Sequence, residues 1–241
     1  MEKLLILSDI HGNLTALDQV LGSASLHSVD HIIMLGDLID YGPRSNEVIE
    51  RIGKLDKEKI LVNIWGNHEH AIMEEDYGKF SSDRGRLCAQ YTKSILTGES
   101  RMYLGNMNKD GWQEFEVRGR HCLAVHGSLE DVFWKSIDSC AGGQYAQYDY
   151  VFSGHSHIPS YVEKFYNCDN RKYRNKKKTV FLNPGSVGQP RNHNPDANYA
   201  ILEIESGTIM LQSVPYDYKK EMELFSNQVD AFYKKRLSVG I

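Results

Sequence analysis

The chain has 241 residues, 41% of them hydrophobic, with 28 Lys and Arg against 32 Asp and Glu for a formal net charge of -4. That length buries one sizeable core and reads as a single domain over 1–241, while the mildly acidic balance gives no general attraction for nucleic acid or anionic membranes. Cys88, Cys122, Cys140 and Cys168 lie far apart with no CxxC pair, which argues against a zinc ribbon or dithiol redox centre and fits free thiols in a reducing compartment. The first predicted element is an apolar strand at 4–7. Ser8 and Asp9 interrupt it at once, too early for the core of a signal peptide. No later stretch approaches a membrane span, so the cytoplasm is the expected location. A helix is predicted over 14–21 and a strand over 31–35. Val48, Ile49, Ile52 and Leu55 then share one helical face, with Pro43 and Ser45 where that helix should start. A strand at 60–64 follows. From about 70 to 110 the pattern is polar and mainly helical, without a strand, and reads as an insertion over one face. Further strands are predicted at 121–125, 150–152, 179–182, 199–204 and 208–214. The last two flank Glu205-Ser206-Gly207, a hairpin signal. An amphipathic helix is expected over about 219–235.

The metal-capable residues fall at the ends of five successive predicted strands, and in open α/β sheets the ligand site lies beyond the carboxyl ends of the strands. These groups are Asp9-Ile10-His11, then Gly36-Asp37-Leu38-Ile39-Asp40-Tyr41-Gly42, then Gly66-Asn67-His68-Glu69, His126-Gly127, and Gly154-His155-Ser156-His157. Each alone is weak, because a His after a strand is more often a core or surface histidine than a ligand. As a set they supply carboxylate, imidazole and amide donors, which suits manganese, iron, zinc or nickel better than calcium or copper.

In this order the motifs resemble the calcineurin-like metallophosphoesterase superfamily, with D-x-H, G-D-x-x-D-x-G, G-N-H-[DE], a lone His and G-H-x-H, over residues 4 to about 214. The resemblance implies two facing mixed β-sheets flanked by helices, a four-layer α/β sandwich (α+β by some schemes) with the site at one edge. It implies two divalent metal ions: Asp9, His11 and His157 on the first, Asn67, His126 and His155 on the second, and Asp37 bridging. His68 would stand outside the metal shell as general acid or phosphate donor, with Asp40 as its hydrogen-bond partner. Two such cations activate water and neutralise charge on the phosphoryl oxygens.

His126-Gly127-Ser128, Gly154-His155-Ser156-His157-Ile158-Pro159 and the run from Asn183 to Arg191 resemble the small bacterial phosphoesterases of that superfamily. The substrate implied is a small-molecule or nucleotide phosphate ester, mono- or diester. Protein serine/threonine phosphatases and dinucleoside polyphosphate hydrolases carry Arg directly after the second Asp of G-D-x-x-D. Tyr41 stands there, with Arg44 and Arg191 as possible substitutes. A non-catalytic scaffold is the third reading, and the presence of every matched ligand counts against it. Phe133, Trp134, Tyr145 and Tyr148 could stack on a ring or simply pack a loop. Gly142-Gly143 suggests a bend, and the basic run 171–178 reads as a solvated turn. His27, His31, His70, His121 and His193 receive no ligand role. Asn183 to Gly188 reads as structural, and oligomeric state is left open.

Overall fold

The computed structural model describes residues 1–139, 143–172, 174 and 176–241. The thiol of Cys140, the bend at Gly142 and positions 173 and 175 of the basic run lie outside the described residues. In chain order the elements are β1 (Lys3–Leu7), α1 (Leu14–Ser25), β2 (His31–Met34), α2 (Ser45–Gly53), β3 (Ile60–Asn63), α3 (Asn67–Met73), α4 (Asp83–Ile95) and α5 (Gly98–Gly105). They continue with β4 (Trp112–Val117), β5 (Arg120–Val125), β6 (Tyr150–Ser153), β7 (Ser160–Phe165), β8 (Lys178–Asn183), β9 (Ala197–Glu203), β10 (Thr208–Val214), α6 (Tyr218–Glu223) and α7 (Ala231–Arg236).

These strands form two five-stranded sheets, ordered β10-β9-β1-β2-β3 and β4-β5-β6-β8-β7. Both are mixed. In the first, β1, β2 and β3 run parallel and β9 pairs antiparallel with both β1 and β10; in the second, β5, β6 and β8 run parallel while β4 and β7 are antiparallel to them. The period of two along β1 explains why it is apolar throughout: Leu4 and Ile6 face the second sheet, whereas Leu5 and Leu7 face the helices. The layer between the sheets joins Leu4, Ile6, Ile33, Leu35 and Val62 to Cys122, Ala124, Phe152, Val180 and Leu182. On the other side of the first sheet, Ala16, Leu17 and Val20 of α1 and Val48, Ile49 and Ile52 of α2 complete a second core. Burying each Val, Leu, Ile or Phe side chain among these contributes about 1.5–3 kcal/mol. Over the outer face of the second sheet, Leu123, Val125, Val151 and Phe181 are covered by Leu129, Val132, Tyr145 and Tyr148.

Three differences from the sequence expectations stand out. The helix expected over 219–235 is two short helices, because Ser226 Oγ accepts from Gln228 N and Asp230 Oδ1 caps a new helix by accepting from Phe232 N at 2.8 Å. Strands β4 and β7 have no counterpart among the predicted ones. Each is an edge strand with a polar, half-exposed face, so neither presents an apolar run. Tyr145 and Tyr148 are buried in the outer core rather than available to stack on a ligand.

Candidate metal centre

All five motifs converge beyond the carboxyl ends of parallel strands, three from the first sheet (β1, β2, β3) and two from the second (β5, β6). The chain makes these turns in a left-handed backbone region that L-residues seldom enter. Of the eleven non-glycine residues with positive φ among the described residues, seven belong here: Asp9, His11, Asp37, Asp40, Tyr41, His155 and His157. Asp and His tolerate that region better than most, and strain of about 1–3 kcal/mol per residue persists only where the surroundings enforce it. Close packing does so. A Cβ on Gly66 would lie 2.2 Å from Asp37 Oδ1, and one on Gly36, at φ +90°, would lie 2.3 Å from Gly66 N.

Asp9, His11, Asp37 and His157 are all buried, with one ligand atom each inside a 4.8 Å cluster. Three histidines are fixed through Nδ1 on backbone carbonyls: His11 on Ile39 O at 3.1 Å, His126 on Leu35 O at 2.7 Å and His157 on Gln189 O at 2.6 Å. A neutral imidazole donating from Nδ1 keeps a bare lone pair on Nε2. Those lone pairs meet one another and the carboxylates. His11 Nε2 lies 3.3 Å from His157 Nε2 and 3.7 Å from Asp37 Oδ2, and His157 Nε2 lies 3.2 Å from Asp9 Oδ1. Asp9 Oδ1 is itself buried without a hydrogen-bond donor. Acceptors facing acceptors in a dry site fit a cation at their centre, and carboxylate plus imidazole suits a divalent transition metal. A second group adjoins the first: His126 Nε2 and His155 Nδ1 meet on Asn67 Oδ1 at 2.9 and 3.0 Å, and His126 Nε2 is 3.4 Å from Asp37 Oδ2. Asp37 therefore touches both groups.

The electrostatics follow from this crowding. Burial, reinforced by Asp37, raises Asp9 to about 7. Burial lowers His11 to about 3 and His155 to about 4, and holds His157 well below its ordinary value. Burial alone would also lower His126, but the charge of Asp37 and a hydrogen bond to it prevail and raise it to about 9. His68 Nδ1 meets Asp40 Oδ2 at 2.7 Å, and Thr92 Oγ1 of α4 donates to Asp40 Oδ1 at 2.6 Å. Burial opposes the charged forms of both His68 and Asp40. The Asp37 charge and the bond to Asp40 nonetheless raise His68, and the bond to His68 lowers Asp40.

Thus Asp9, His11, Asp37, Asp40, Asn67, His68, His126, His155 and His157 all come together. The sequence reading assigned no task to Glu69, the fourth position of its motif. Its buried carboxylate accepts from the backbone N–H groups of Asp37 and Leu38 at 2.7 Å and of Gly66 at 2.8 Å, tying the β2 and β3 loops together. The Asn183 to Gly188 segment braces the site, as Asn183 Nδ2 donates to Gly154 O and Ser186 Oγ to Asp9 O, each at 2.7 Å. Of the two substitute arginines, Arg44 is turned away onto buried Glu221, whereas Arg191 lines the cleft above the metal residues. Tyr41 stacks on Tyr233 of α7, ring centroids 4.3 Å apart, and meets His68 edge-on at 4.4 Å. Trp134 also lines the cleft, edge-on to Phe80, while Phe133 packs on His70.

The family model described as the calcineurin-like phosphoesterase superfamily domain matches residues 2–207. The chain belongs to this superfamily. Within it, the chain is similar to an uncharacterised protein of Methanocaldococcus jannaschii, 28% identical over 98% of this chain and 97% of the relative. It is also similar to the phosphodiesterase YfcE of Escherichia coli, 24% identical over 84% of this chain and 88% of that protein. Among solved structures, a metallophosphoesterase from Sphaerobacter thermophilus aligns with a TM-score of 0.77 at 27% identity, covering 100% of this chain and 99% of the other. The two facing mixed sheets are thus the fold of this superfamily. No helix among the described residues is long and apolar enough to cross a membrane.

Proposed function

We propose that the protein is a metal-dependent phosphoesterase that hydrolyses a phosphodiester or phosphomonoester of a small molecule or nucleotide, using two divalent ions. One observation carries this reading: the bare Nε2 lone pairs of His11 and His157, both held neutral, converge on each other and on the Asp9 and Asp37 carboxylates. Asp9, His11 and His157 would hold one ion and Asn67, His126 and His155 the other, with Asp37 between. When bound, manganese, iron, zinc or nickel at such a site lowers the pKa of a water nucleophile and withdraws charge from the phosphoryl oxygens. The chain's own residues do the rest. The carbonyls of Leu35, Ile39 and Gln189 keep three imidazoles in the ligating tautomer. His68, whose pKa Asp37 and Asp40 raise, would present an Nε2 proton to the leaving or phosphoryl oxygen, while Asp40 orients the ring through Nδ1. Glu69 holds the backbone on which Asp37 and Asn67 sit. The thiols of Cys88, Cys122 and Cys168 are unbridged, in keeping with the cytoplasm.

The expected result is that metal-stripped protein refilled with manganese turns over a chromogenic phosphodiester or phosphomonoester, and that Asp37→Asn abolishes the turnover. Turnover undiminished in Asp37→Asn, or none at all with manganese bound, overturns the reading. The protein phosphatase and dinucleotide readings are disfavoured at Tyr41, which fills the place of their Arg and packs against Tyr233.

A further inference from the structure

The cleft beside the metal residues, about 590 Å³, holds more positive charge than one phosphate group calls for. Its wall includes Arg84 from the first turn of α4, Arg191 from the loop after β8, Arg236 from the end of α7, and Lys79. Lys79 is matched by Asp131 Oδ2 at 3.3 Å. Among the described residues Arg84 and Arg191 have no carboxylate partner and Arg236 Nε donates to Ile241 O, whereas Arg44, Arg51, Arg86, Arg118 and Arg120 each meet a side-chain carboxylate.

The three arginines form a connected group. Arg191 lies beside the metal residues: its backbone N–H donates to His157 O at 3.2 Å, and its Nε is buried without a partner. Its charge is felt by His11, His155 and His157 and also by Arg236, which burial and then Arg191 lower to about 10, with Arg84 adding to the shift. Phe232 separates the outer pair, its ring centroid 4.1 Å from Arg84 Cζ and 5.0 Å from Arg236 Cζ. An aromatic face holds a guanidinium in place without neutralising it. Three like charges from three different elements therefore line one cleft, two of them, Arg84 and Arg191, without a carboxylate and the third, Arg236, anchored through Nε to Ile241 O.

Resting on the phosphoesterase reading, we infer that the substrate is a phosphate ester bearing a second phosphate group, which the Arg84, Arg191 and Arg236 guanidiniums grip while the scissile phosphate sits at the metal residues. Two divalent ions outweigh the Asp9 and Asp37 carboxylates and already match one phosphate, so the arginines are surplus to the reacting group. A carboxylate satisfies one guanidinium fork. A phosphate offers three oxygens and up to two charges, which suits a cluster of three.

The test is calorimetric titration of the manganese-loaded protein with adenosine 5′-monophosphate and adenosine 3′,5′-bisphosphate, and with phenyl phosphate and 4-carboxyphenyl phosphate. The bisphosphate should bind at least about tenfold tighter than the monophosphate, as one or two charge-assisted bonds allow. In Arg84→Gln/Arg236→Gln that ratio should fall toward one. Arg84 is exposed, so single Arg84→Gln keeps its fold and should move the ratio the same way. Equal affinities in the wild type, or a preference that survives in the double variant, overturn the inference. So does a carboxylate that gains as much over phenyl phosphate as the second phosphate gains. Turnover of a chromogenic ester by the same preparations separates the two readings. Turnover without bisphosphate preference removes only the arginine subsite, and bisphosphate preference without turnover of any ester removes the hydrolase reading.

Discussion

His68 is held on several sides: Asp40 takes its Nδ1, Tyr41 and Phe80 meet its ring edge-on, and Asp37 Oδ2 lies 4.0 Å from its Nε2. Asp40→Asn removes a charge and an acceptor that both raise the His68 pKa. The alkaline limb of the pH–rate profile should therefore move to lower pH, with kcat at neutral pH down by about tenfold or more. A profile superimposable on wild type would remove Asp40 from the mechanism. The same pair has a signature in the metal-free protein. A raised His68 pKa contributes stability that is full below the ordinary 6.5 and lost as pH rises through the folded value. A depressed Asp40 pKa contributes stability present above the ordinary 3.8 and lost as pH falls through its folded value. The Asp40–His68 contribution is thus largest between those limits. The convergence of His68 with Asp9, His11, Asp37, Asn67, His126, His155 and His157 was legible in the sequence because each follows an apolar strand in a short motif. Glu69 and Thr92 were not, since their work is to satisfy backbone and side-chain partners that only the fold brings near.

At the level of elements, the site depends on loops wound tightly enough to stack their backbones. Gly66→Ala would drive a Cβ into Asp37 and the Asp37 amide, with contacts of 2.2 and 2.6 Å. We expect the variant to lose manganese binding by titration and to unfold at lower temperature, because the clash is with backbone as well as a side chain. An unaltered manganese affinity would show that the loop can yield. The helical stretch expected as a cover over about 70–110 holds α4 and α5 and is more than a cover, since α4 supplies Thr92 to Asp40 and the turn before it supplies Phe80 to the His68 ring. Central strands and the first two helices were readable from periodicity, as their apolar pattern is set by one buried stripe or by two buried faces. The second sheet's edge strands β4 and β7 and the paired C-terminal helices were not. Their residues face solvent on one side, and local side-chain bonds at Ser226 and Asp230 decide where the helices begin and end.

Across the whole molecule, the metal residues come from both sheets, and direct bonds already join them: His126 of the second sheet to Leu35 O of the first, and His155 N to Asp9 Oδ2 at 3.2 Å. A bound ion would add a further tie between layers. Metal removal by chelation should therefore lower Tm in a manner that depends on free manganese, by an amount equivalent to about 2.7 kcal/mol at a hundredfold excess over Kd. A Tm indifferent to chelator and to added manganese would mean that the ligands bind nothing in the folded state. The seven left-handed residues carry a further consequence. Their backbone shape is enforced by packing against neighbouring loops, so the mould is cast before it is filled. An arriving ion would meet donors whose ordering is already complete, and exchange of one divalent ion for another would not require rewinding the chain.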